Sequence, residues 1–299
     1  MTVHLGASQY GKAETHVVRV TKGGPGRNVH EIKDMTVSVM LAGDFDATHL
    51  TGDNSKVVPT DTQKNTVFAF AREDVGEIEE FGLRLARHFL RDYPPVRRAR
   101  VSISEQPWAR VQIRGGPHAV AEGPHPHAFE RAGSEQRTAT VTCTRDAEWV
   151  VSGLSDLTLL KTTGSEFWGY AKDPYTTLPE TQDRVLASAV DARWRYLDSN
   201  VDWADARAET RRLLIEMFAT KHSLSLQQTL YAMGEAVLEA RPEIVEVRFS
   251  MPNKHHFPVD LKPFGLENDN EVFFAADRPY GLIEGTVVRD DAAPADQAW

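Results

Sequence analysis

The chain has 299 residues, of which 41% are hydrophobic and 26% charged. This composition is typical of a soluble globular protein with two domains or one large domain. The net charge of −9 argues against a general nucleic-acid or acidic-membrane binder, because such binding depends on a basic surface.

The first part of the chain has strand character. Residues 17–20 and 35–40 contain β-branched residues in short alternation, which is typical of strands. Residues 22–28 between them have the glycines of a phosphate loop without its Gly-Lys-Ser/Thr ending, so a hairpin connection is predicted. Residues 60–66 place several hydrogen-bonding side chains beside an apolar segment that also has strand character.

Residues 76–92 predict a helix. Apolar side chains recur there at three- to four-residue spacing, at Ile78, Phe81, Leu85 and Phe89. Pro94 and Pro95 end this helix, and a strand is predicted at 99–103. The stretch 115–133 is rich in Gly, Pro and His, and predicts an exposed loop.

The second part repeats this order. Strand character returns at 138–144 and 157–160. The chain has a single cysteine, Cys143, so an internal disulfide framework is excluded. We interpret Cys143 as a packed strand residue, with a catalytic thiol as the alternative. Two helices follow, the first with an apolar stripe over 203–218. The second helix begins at a capping box of Ser225 and Gln228, ends before Pro242 and precedes a strand at 245–250.

Both halves therefore contain a helix, a proline and an alternating strand, at 76–106 and at 225–252. This predicts two related α+β units, at 1–137 and 138–299, with antiparallel sheets and helices packed on one face. The edges of such sheets must be covered or paired, and two units per chain can close a ring with further copies.

The ends of the chain carry no targeting pattern. The N-terminal residues lack a basic region followed by an apolar core, and the chain ends in Ala298-Trp299 rather than a peroxisomal tripeptide. No apolar run of about 18 residues predicts a membrane span. A cytoplasmic location is expected, with a mobile acidic tail from Asp290.

Residues 252–257 carry the densest group of polar side chains. Because side chains alternate along a strand, Asn253 and His255 are expected on one face, and Lys254 and His256 on the other. An amide and an imidazole together can hold a small polar molecule and move a proton. From spacing alone a solvated strand end is favoured, and adjacent His255 and His256 do not suit one metal ion.

Four other features are candidates for binding or chemistry. His118, His125 and His127 can bind zinc, but no cysteine or well-placed carboxylate completes the set, so only incidental binding is expected. The Arg184 guanidinium suits a planar anionic edge, whereas a surface ion pair with Asp183 or Glu180 is commoner. Phe167 suits stacking on a flat ring, or the core. Lys12 is assigned to solvent by its position.

Taken together, these stretches resemble the urate oxidase (uricase) family. The resemblance covers nearly the whole chain in order. It rests on the segments QYGK (9–12), TDTQKNT (60–66), TGSEFWG (163–169), YTTL (175–178), DR (183–184), SLQQTLY (225–231), PNKHHF (252–257) and DRPYG (277–281).

The resemblance implies two tandem tunnelling-fold units per chain and a homotetramer enclosing a barrel-like tunnel. It implies active sites at subunit interfaces that oxidise urate with molecular oxygen to 5-hydroxyisourate and hydrogen peroxide. It also implies that no metal, flavin or nicotinamide cofactor takes part.

The resemblance also assigns roles to residues. It implies that Lys12, Thr60 and His255 form a proton relay. Our hypothesis for Lys12 is that, if desolvated, it is partly neutral and acts as the base through the Thr60 hydroxyl. Thr60 and Asp61 would come from a neighbouring chain, with Asp61 as one of the substrate-binding residues. Arg184 and Gln227 would clamp the purine, and Phe167 would stack on it. Leu178 and Leu226 would line the pocket, and Asn253 would face the oxygen site.

One departure from the family pattern is Pro59, which fixes its own φ and lacks an N–H next to Thr60. The loop 115–133 also differs in detail. Two alternatives keep the same fold: a pterin- or purine-processing enzyme with a different reaction, in some cases with zinc, and a purine-binding homologue without activity.

Overall fold

The computed structural model describes residues 1–23, 29–115, 122–276 and 278–299. These residues divide into two compact units. The N-terminal unit comprises Met1–Ser152, Asp198–Trp203 and Pro294–Trp299, and the C-terminal unit comprises Gly153–Leu197 and Ala204–Ala293.

The N-terminal unit contains an antiparallel sheet with helices on one face. Its elements are β1 (Tyr10–Thr21), β2 (Glu31–Gly43), α1 (Asp46–Leu50), α2 (Thr60–Glu73), α3 (Ile78–Asp92), β3 (Val96–Gln106), β4 (Trp108–Ile113), β5 (Gly123–Arg131) and β6 (Gln136–Thr144). The sheet order is β1-β2-β3-β6, and α3 packs on β3 and β6. The pairing of β1 with β2 confirms the antiparallel neighbours predicted there, while residues 24–28 lie outside the described ranges.

The C-terminal unit follows the same plan. The strand β7 (Glu148–Lys161) contains the boundary between the units and is followed by β8 (Leu186–Tyr196), α4 (Trp203–Thr220), α5 (Leu226–Ala240), β9 (Ile244–Asn253), β10 (His256–Pro258), β11 (Phe273–Ala275) and β12 (Gly281–Val288). Here β9 pairs with β8 and β12, and α5 packs on β9 and β12. Gly234 allows this close packing, since a Cβ there would lie 2.5 Å from Val287.

The strand character predicted beside residues 60–66 is wrong, because this segment forms helix α2. Its buried residues are Gln63, Val67 and Ala71, which recur every four positions as one helical stripe. Among the described helices, none is long and apolar enough to cross a membrane.

Two further predictions are corrected. The stretch 115–133 is not only a loop, because Gly123–Arg131 forms β5 and pairs with β4. The C-terminal tail is not free, since the Arg100 guanidinium donates hydrogen bonds to the carbonyl oxygens of Gln297 and Ala298 at 3.3 Å. Ala298 is buried at 1% exposure.

A buried ion pair joins α3 to the sheet. Glu79 is fully buried and accepts hydrogen bonds from Arg137 on β6 and from Ser152 on β7, each at 2.5 Å. Glu77 also lies 2.5 Å from the Arg137 guanidinium.

Replacing Arg137 with methionine should therefore destabilise the protein by about 3–5 kcal/mol, because Glu79 would remain buried without its countercharge. Urea unfolding measures this loss. Arg137→Met combined with Glu79→Leu is the control and should lose much less, since both charges are gone. A single variant as stable as the wild type would contradict this role.

Candidate active site

A cavity of about 770 Å³ opens in the C-terminal unit. Three parts of that unit form its walls: the segment 177–185 with Phe167, the start of α5, and the chain around the end of β9. Among the predicted site residues, those that line it are Phe167, Leu178, Arg184, Leu226, Gln227, Asn253 and His255.

Arg184 and Phe167 form one wall. The Arg184 guanidinium lies 5.1 Å from the centre of the Phe167 ring, and its Nε donates to Ser165 Oγ at 3.1 Å. Burial lowers the pKa of Arg184, although a guanidinium stays charged at any ordinary pH. The partners observed for the two carboxylates are other residues: Glu180 pairs with Lys172 at 3.0 Å, and Asp183 accepts from Thr163 at 2.7 Å. The wall thus presents a cation beside a flat ring.

Phe167 is held by backbone and ring contacts. Its backbone pairs in both directions with Thr181, at 2.8 and 3.0 Å. Its ring stacks on Tyr170 with centroids 4.9 Å apart and planes 19° from parallel. Phe167 is only half-buried and lines the cavity, so it is not a core residue.

The first turn of α5 forms a second wall. Ser225 caps this helix by accepting from the Gln228 N–H at 3.1 Å, while Gln228 Oε1 accepts from the Leu224 N–H at 2.9 Å. The capping predicted from sequence is confirmed. In the usual capping box the Gln228 side chain would accept from the N–H of Ser225 itself, whereas here it accepts from the N–H of the preceding residue, Leu224. The cap fixes Leu226, which is buried, and Gln227, which is exposed to the cavity.

The end of β9 forms the third wall. The strand ends at Asn253, which pairs with Ser188 on β8 and with Gly281 on β12. Asn253 and His255 both line the cavity, as their predicted common face requires. His256 also belongs to the cavity lining, and its Nδ1 lies 3.0 Å from the Lys254 carbonyl oxygen. The strand β9 ends at Asn253, so the alternation of faces that the sequence predicted does not extend to residues 254–256.

His255 is suited to accept a proton. Its ring stacks on Phe257 with centroids 5.6 Å apart. Burial lowers the pKa of the His255 imidazole, and the positive charges of Arg184 and His256 lower it further. The neutral ring, with one unprotonated nitrogen, therefore predominates at neutral pH.

The pH profile should show this shift. If neutral His255 is required, kcat/KM should fall only as the pH drops below the ordinary histidine value of 6.5. His256→Gln should move this acid limb to higher pH, because it removes a positive charge that lowers the His255 pKa. Comparing the two proteins cancels any ionisation of the substrate. An acid limb above 6.5 in the wild type, or one unmoved by the substitution, would contradict the assignment.

The other predicted site residues lie in the N-terminal unit. Lys12 is half-buried on β1, and the pairing with β2 shifts register between Lys12 and Thr15. Such bulges redirect side chains and are frequent beside active sites. Gly11 is required next to it, since a Cβ there would lie 1.8 Å from the Val39 carbonyl oxygen. Lys12 therefore lies on a strand with an adjacent β-bulge rather than on a free terminus.

The Tyr10 hydroxyl joins this strand to the chain before α2. It accepts from the Val58 N–H at 2.8 Å and contacts the Val58 carbonyl oxygen at 3.2 Å. Thr60 is the first residue of α2. Pro59 precedes the helix and its carbonyl accepts from the Gln63 N–H at 3.1 Å, so its missing N–H leaves the helix ladder intact.

Asp61 stands next to Thr60 in the first turn of α2. Hydrogen bonding from Lys64 holds the pKa of the Asp61 carboxyl below its ordinary value, and the charge of Lys12 also contributes. Asn65 donates to the same carboxylate at 2.9 Å. The structure thus brings Lys12, Thr60 and Asp61 to one region, where an amine, a hydroxyl and a carboxylate are available.

Other candidates for chemistry are not supported. Within the described ranges, no group of three or more His, Cys, Asp or Glu side chains is arranged to hold a metal ion. The His125 and His127 rings lie 4.6 Å apart, while His118 falls outside the described residues. Burial raises the pKa of the Cys143 thiol to about 12. Cys143 is therefore the packed strand residue that was predicted and not a nucleophile.

Sequence reasoning missed two supporting residues. Ser165, fully buried, orients the Arg184 guanidinium, and Thr181 holds the backbone of Phe167. Both act through irregular segments that carry no periodic pattern, so no signal in the sequence pointed to them.

Comparison with known proteins identifies the relatives of this chain. The Uricase family model matches residues 8–142 and again 150–284. Uricase from Arthrobacter globiformis is 50% identical, with 99% of this chain and 94% of that protein covered. Uricase from Danio rerio is 37% identical, with 95% and 94% covered.

Solved structures agree. The crystal structure of the Arthrobacter globiformis uricase matches with a TM-score of 0.93 at 49% identity, covering 100% of this chain and 99% of that one. That of a uricase from Bacillus fastidious matches with a TM-score of 0.79 at 27% identity, covering 96% and 95%.

The double match confirms the tandem tunnelling-fold units predicted from sequence. Glu14 and Asp156, two left-handed residues, occupy the same place in the repeats, each six residues after the start of its matched segment. Their N–H groups donate to Ser38 Oγ at 2.9 Å and to Asp191 Oδ1 at 2.8 Å. The repeated local geometry and the family match over most of both units lead to one conclusion: this chain belongs to the uricase family.

Proposed function

We propose that this protein oxidises urate with molecular oxygen and water, giving 5-hydroxyisourate and hydrogen peroxide without a cofactor. The observation that carries this proposal is the convergence of Arg184, Phe167 and Gln227 on one cavity, together with Asn253 and His255, in a member of the uricase family.

The binding roles follow from the chemistry of the walls. Urate is flat, anionic and rich in hydrogen-bonding groups at its edges. The planar guanidinium of Arg184 suits an anionic edge, and the Gln227 amide offers a donor and an acceptor to the other edge. Phe167 stacks on the ring, while Leu178 and Leu226 complete the pocket.

The oxidation step sets the demand for a base. Ground-state oxygen is a triplet, so its direct reaction with a closed-shell purine is spin-forbidden, and most oxidases use a metal or flavin. Here urate itself gives up the electrons, most easily as its dianion. Two electrons from urate and two protons convert oxygen to hydrogen peroxide, and water adds to the oxidised ring at C5 with loss of its second proton.

Lys12, Thr60 and His255 supply the proton transfers. Lys12 acts as the base through the Thr60 hydroxyl, and His255 in its neutral form receives or returns a proton. Asn253 orients oxygen first and the attacking water afterwards.

The site is completed across two chains. His255 and the binding residues line a cavity of the C-terminal unit, whereas Lys12, Thr60 and Asp61 belong to the N-terminal unit. In this proposal Thr60 and Asp61 reach the cavity from a neighbouring copy in a homotetramer, and Lys12 of the same unit comes with them. The cytoplasmic location and the boundary between residues 137 and 138 stay predictions.

Oxygen uptake tests the proposed function. Protein treated with a chelator and free of flavin absorbance should consume one oxygen per urate and release one hydrogen peroxide. Activity that appears only after a metal or flavin is added would overturn it and favour another reaction on this fold. Binding of urate without oxygen uptake would indicate a purine-binding protein without activity instead.

A further inference from the structure

A buried polar cluster lies in the C-terminal unit, among residues that do not line the cavity. It consists of Lys161 at the end of β7, Ser223 in the α4–α5 connection and Thr229 in α5, and is called the Lys161 cluster below. Ser223 and Thr229 are both fully buried, and Lys161 is half-buried. No role in catalysis or binding has been assigned above to any of the three.

Lys161 holds the end of one helix. Its ammonium donates to the Lys221 carbonyl oxygen just beyond α4 and to Ser223 Oγ at 2.8 Å, and it lies 5.7 Å from the centre of the Phe218 ring. A cation at a helix C-terminus satisfies free carbonyl groups and interacts favourably with the helix dipole. Lys161 therefore fixes where the α4–α5 connection begins.

Ser223 joins this connection to the Arg184 wall. Its backbone carbonyl accepts from the Glu166 N–H at 2.7 Å, and its N–H donates to the Gly164 carbonyl at 2.9 Å. Between those residues stands Ser165, whose hydroxyl accepts from Arg184. The backbone position of Ser223 thus sets the position of the guanidinium.

The same serine joins the connection to the Gln227 wall. Its Oγ lies 2.6 Å from Thr229 Oγ1, which in turn donates to the Ser225 carbonyl oxygen at 3.2 Å. Ser225 caps α5, and Gln227 is in the first turn of that helix. One cluster therefore supports both residues proposed to clamp the substrate.

We propose that Lys161 is a positioning residue, which acts through Ser223 to set the gap between Arg184 and Gln227. This inference rests on the proposed function of that cavity. A rigid flat substrate held at two edges requires a fixed gap, because both edges must meet their hydrogen-bonding partners at the same time. The lysine suits this place because its three donors reach the helix end and the serine together.

Kinetics of Lys161→Met test the proposal. We expect KM for urate, and the Kd of urate measured without oxygen, to rise about tenfold while kcat changes less than about twofold, because the clamp binds ground and transition states alike. Lys161→Arg should restore most of the affinity. Lys33→Met is the matched control, since Lys33 is also half-buried and paired, with Glu105 at 2.9 Å.

Amide hydrogen exchange provides a readout that needs no substrate. Lys161→Met should speed exchange at the Glu166 N–H, whereas Lys33→Met should not. Thr229→Val provides a second variant if Lys161→Met does not fold, with faster exchange at Glu166 and a raised Kd expected. Oxygen uptake by the wild type tests the proposed function, and hydrogen exchange tests the positioning role. If the wild type consumes no oxygen, the proposed function fails, but the exchange result can still be interpreted.

Three results would overturn the positioning role: unchanged exchange at Glu166, an unchanged KM and Kd in an active enzyme, or a fall in kcat alone. An equal rise in KM from Lys33→Met would also overturn it, because the effect would then not be specific to the Lys161 cluster.

Discussion

Replacing Lys12 with methionine should lower kcat by about 10²–10⁴-fold, the range typical of a lost acid–base group. The methylene stem is kept, so the shape of β1 is preserved while the amine is lost. Urate would then remain bound without the proton transfer that makes it a good electron donor. Stopped-flow oxidation of urate measures the rate, and calorimetry with a non-oxidisable urate analogue measures the Kd.

The control for this prediction is Lys33→Met on the neighbouring strand β2, which should keep full turnover. The Kd of the analogue should change little in Lys12→Met, because the proposed binding residues other than Asp61 lie in the C-terminal unit. Full activity in Lys12→Met would refute the relay. Loss of analogue binding together with turnover would show that Lys12 has a binding role instead.

The second large effect is expected for Arg184→Gln. Removing one partner of a charged, desolvated contact costs about 2–5 kcal/mol, or roughly 30- to 4,000-fold in Kd. Glutamine keeps a hydrogen-bond donor but loses the charge and the fork. The Kd of urate without oxygen measures the loss.

Arg184→Lys should fall between the wild type and Arg184→Gln, since it keeps the charge and loses only the planar geometry. Arg87→Gln is the control for losing a paired arginine elsewhere, because Arg87 makes a two-bond contact with Glu148 at 2.7 and 2.6 Å. An unchanged Kd in Arg184→Gln would refute the clamp.

The repeat and the longer helices were predictable from sequence for physical reasons. The helix α3 has a regular buried stripe, and α5 has a side-chain cap, while prolines stop both soon after their last turns. Helix α2 was not recognised, because residues 67–71 form a continuous apolar run that resembles a buried strand. Its stripe also begins with a buried polar residue, Gln63. Periodicity alone does not separate such cases.

The strand β5 was missed because of its composition. It contains Pro124 and Pro126 with His125 and His127 between apolar residues, which is typical of a loop. Proline is accepted in a strand at a sheet edge, where its missing N–H costs no ladder bond. The described partner of β5 is β4 alone.

The candidate site was identified from sequence only through a resemblance to a family. Spacing by itself favoured solvated or surface-paired fates for Lys12, Arg184 and His255, since isolated polar residues usually have those fates. Their positions in the structure depend on tertiary contacts: Ser165 orients the Arg184 guanidinium, and a bulge in β1 follows Lys12. Neither contact leaves a local pattern in the chain.

In the proposed mechanism, the Lys12 amine and the Thr60 hydroxyl of one copy complete the cavity of another. Mixing Lys12→Met with Arg184→Gln, by co-expression or joint refolding, tests it most directly. At urate concentrations well below KM, each variant alone should be nearly inactive, whereas random hybrids should regain about one quarter of wild-type activity, because that share of sites would combine two intact halves. Hybrids no more active than the two variants measured separately would place all the reacting groups in a single chain and contradict the claim.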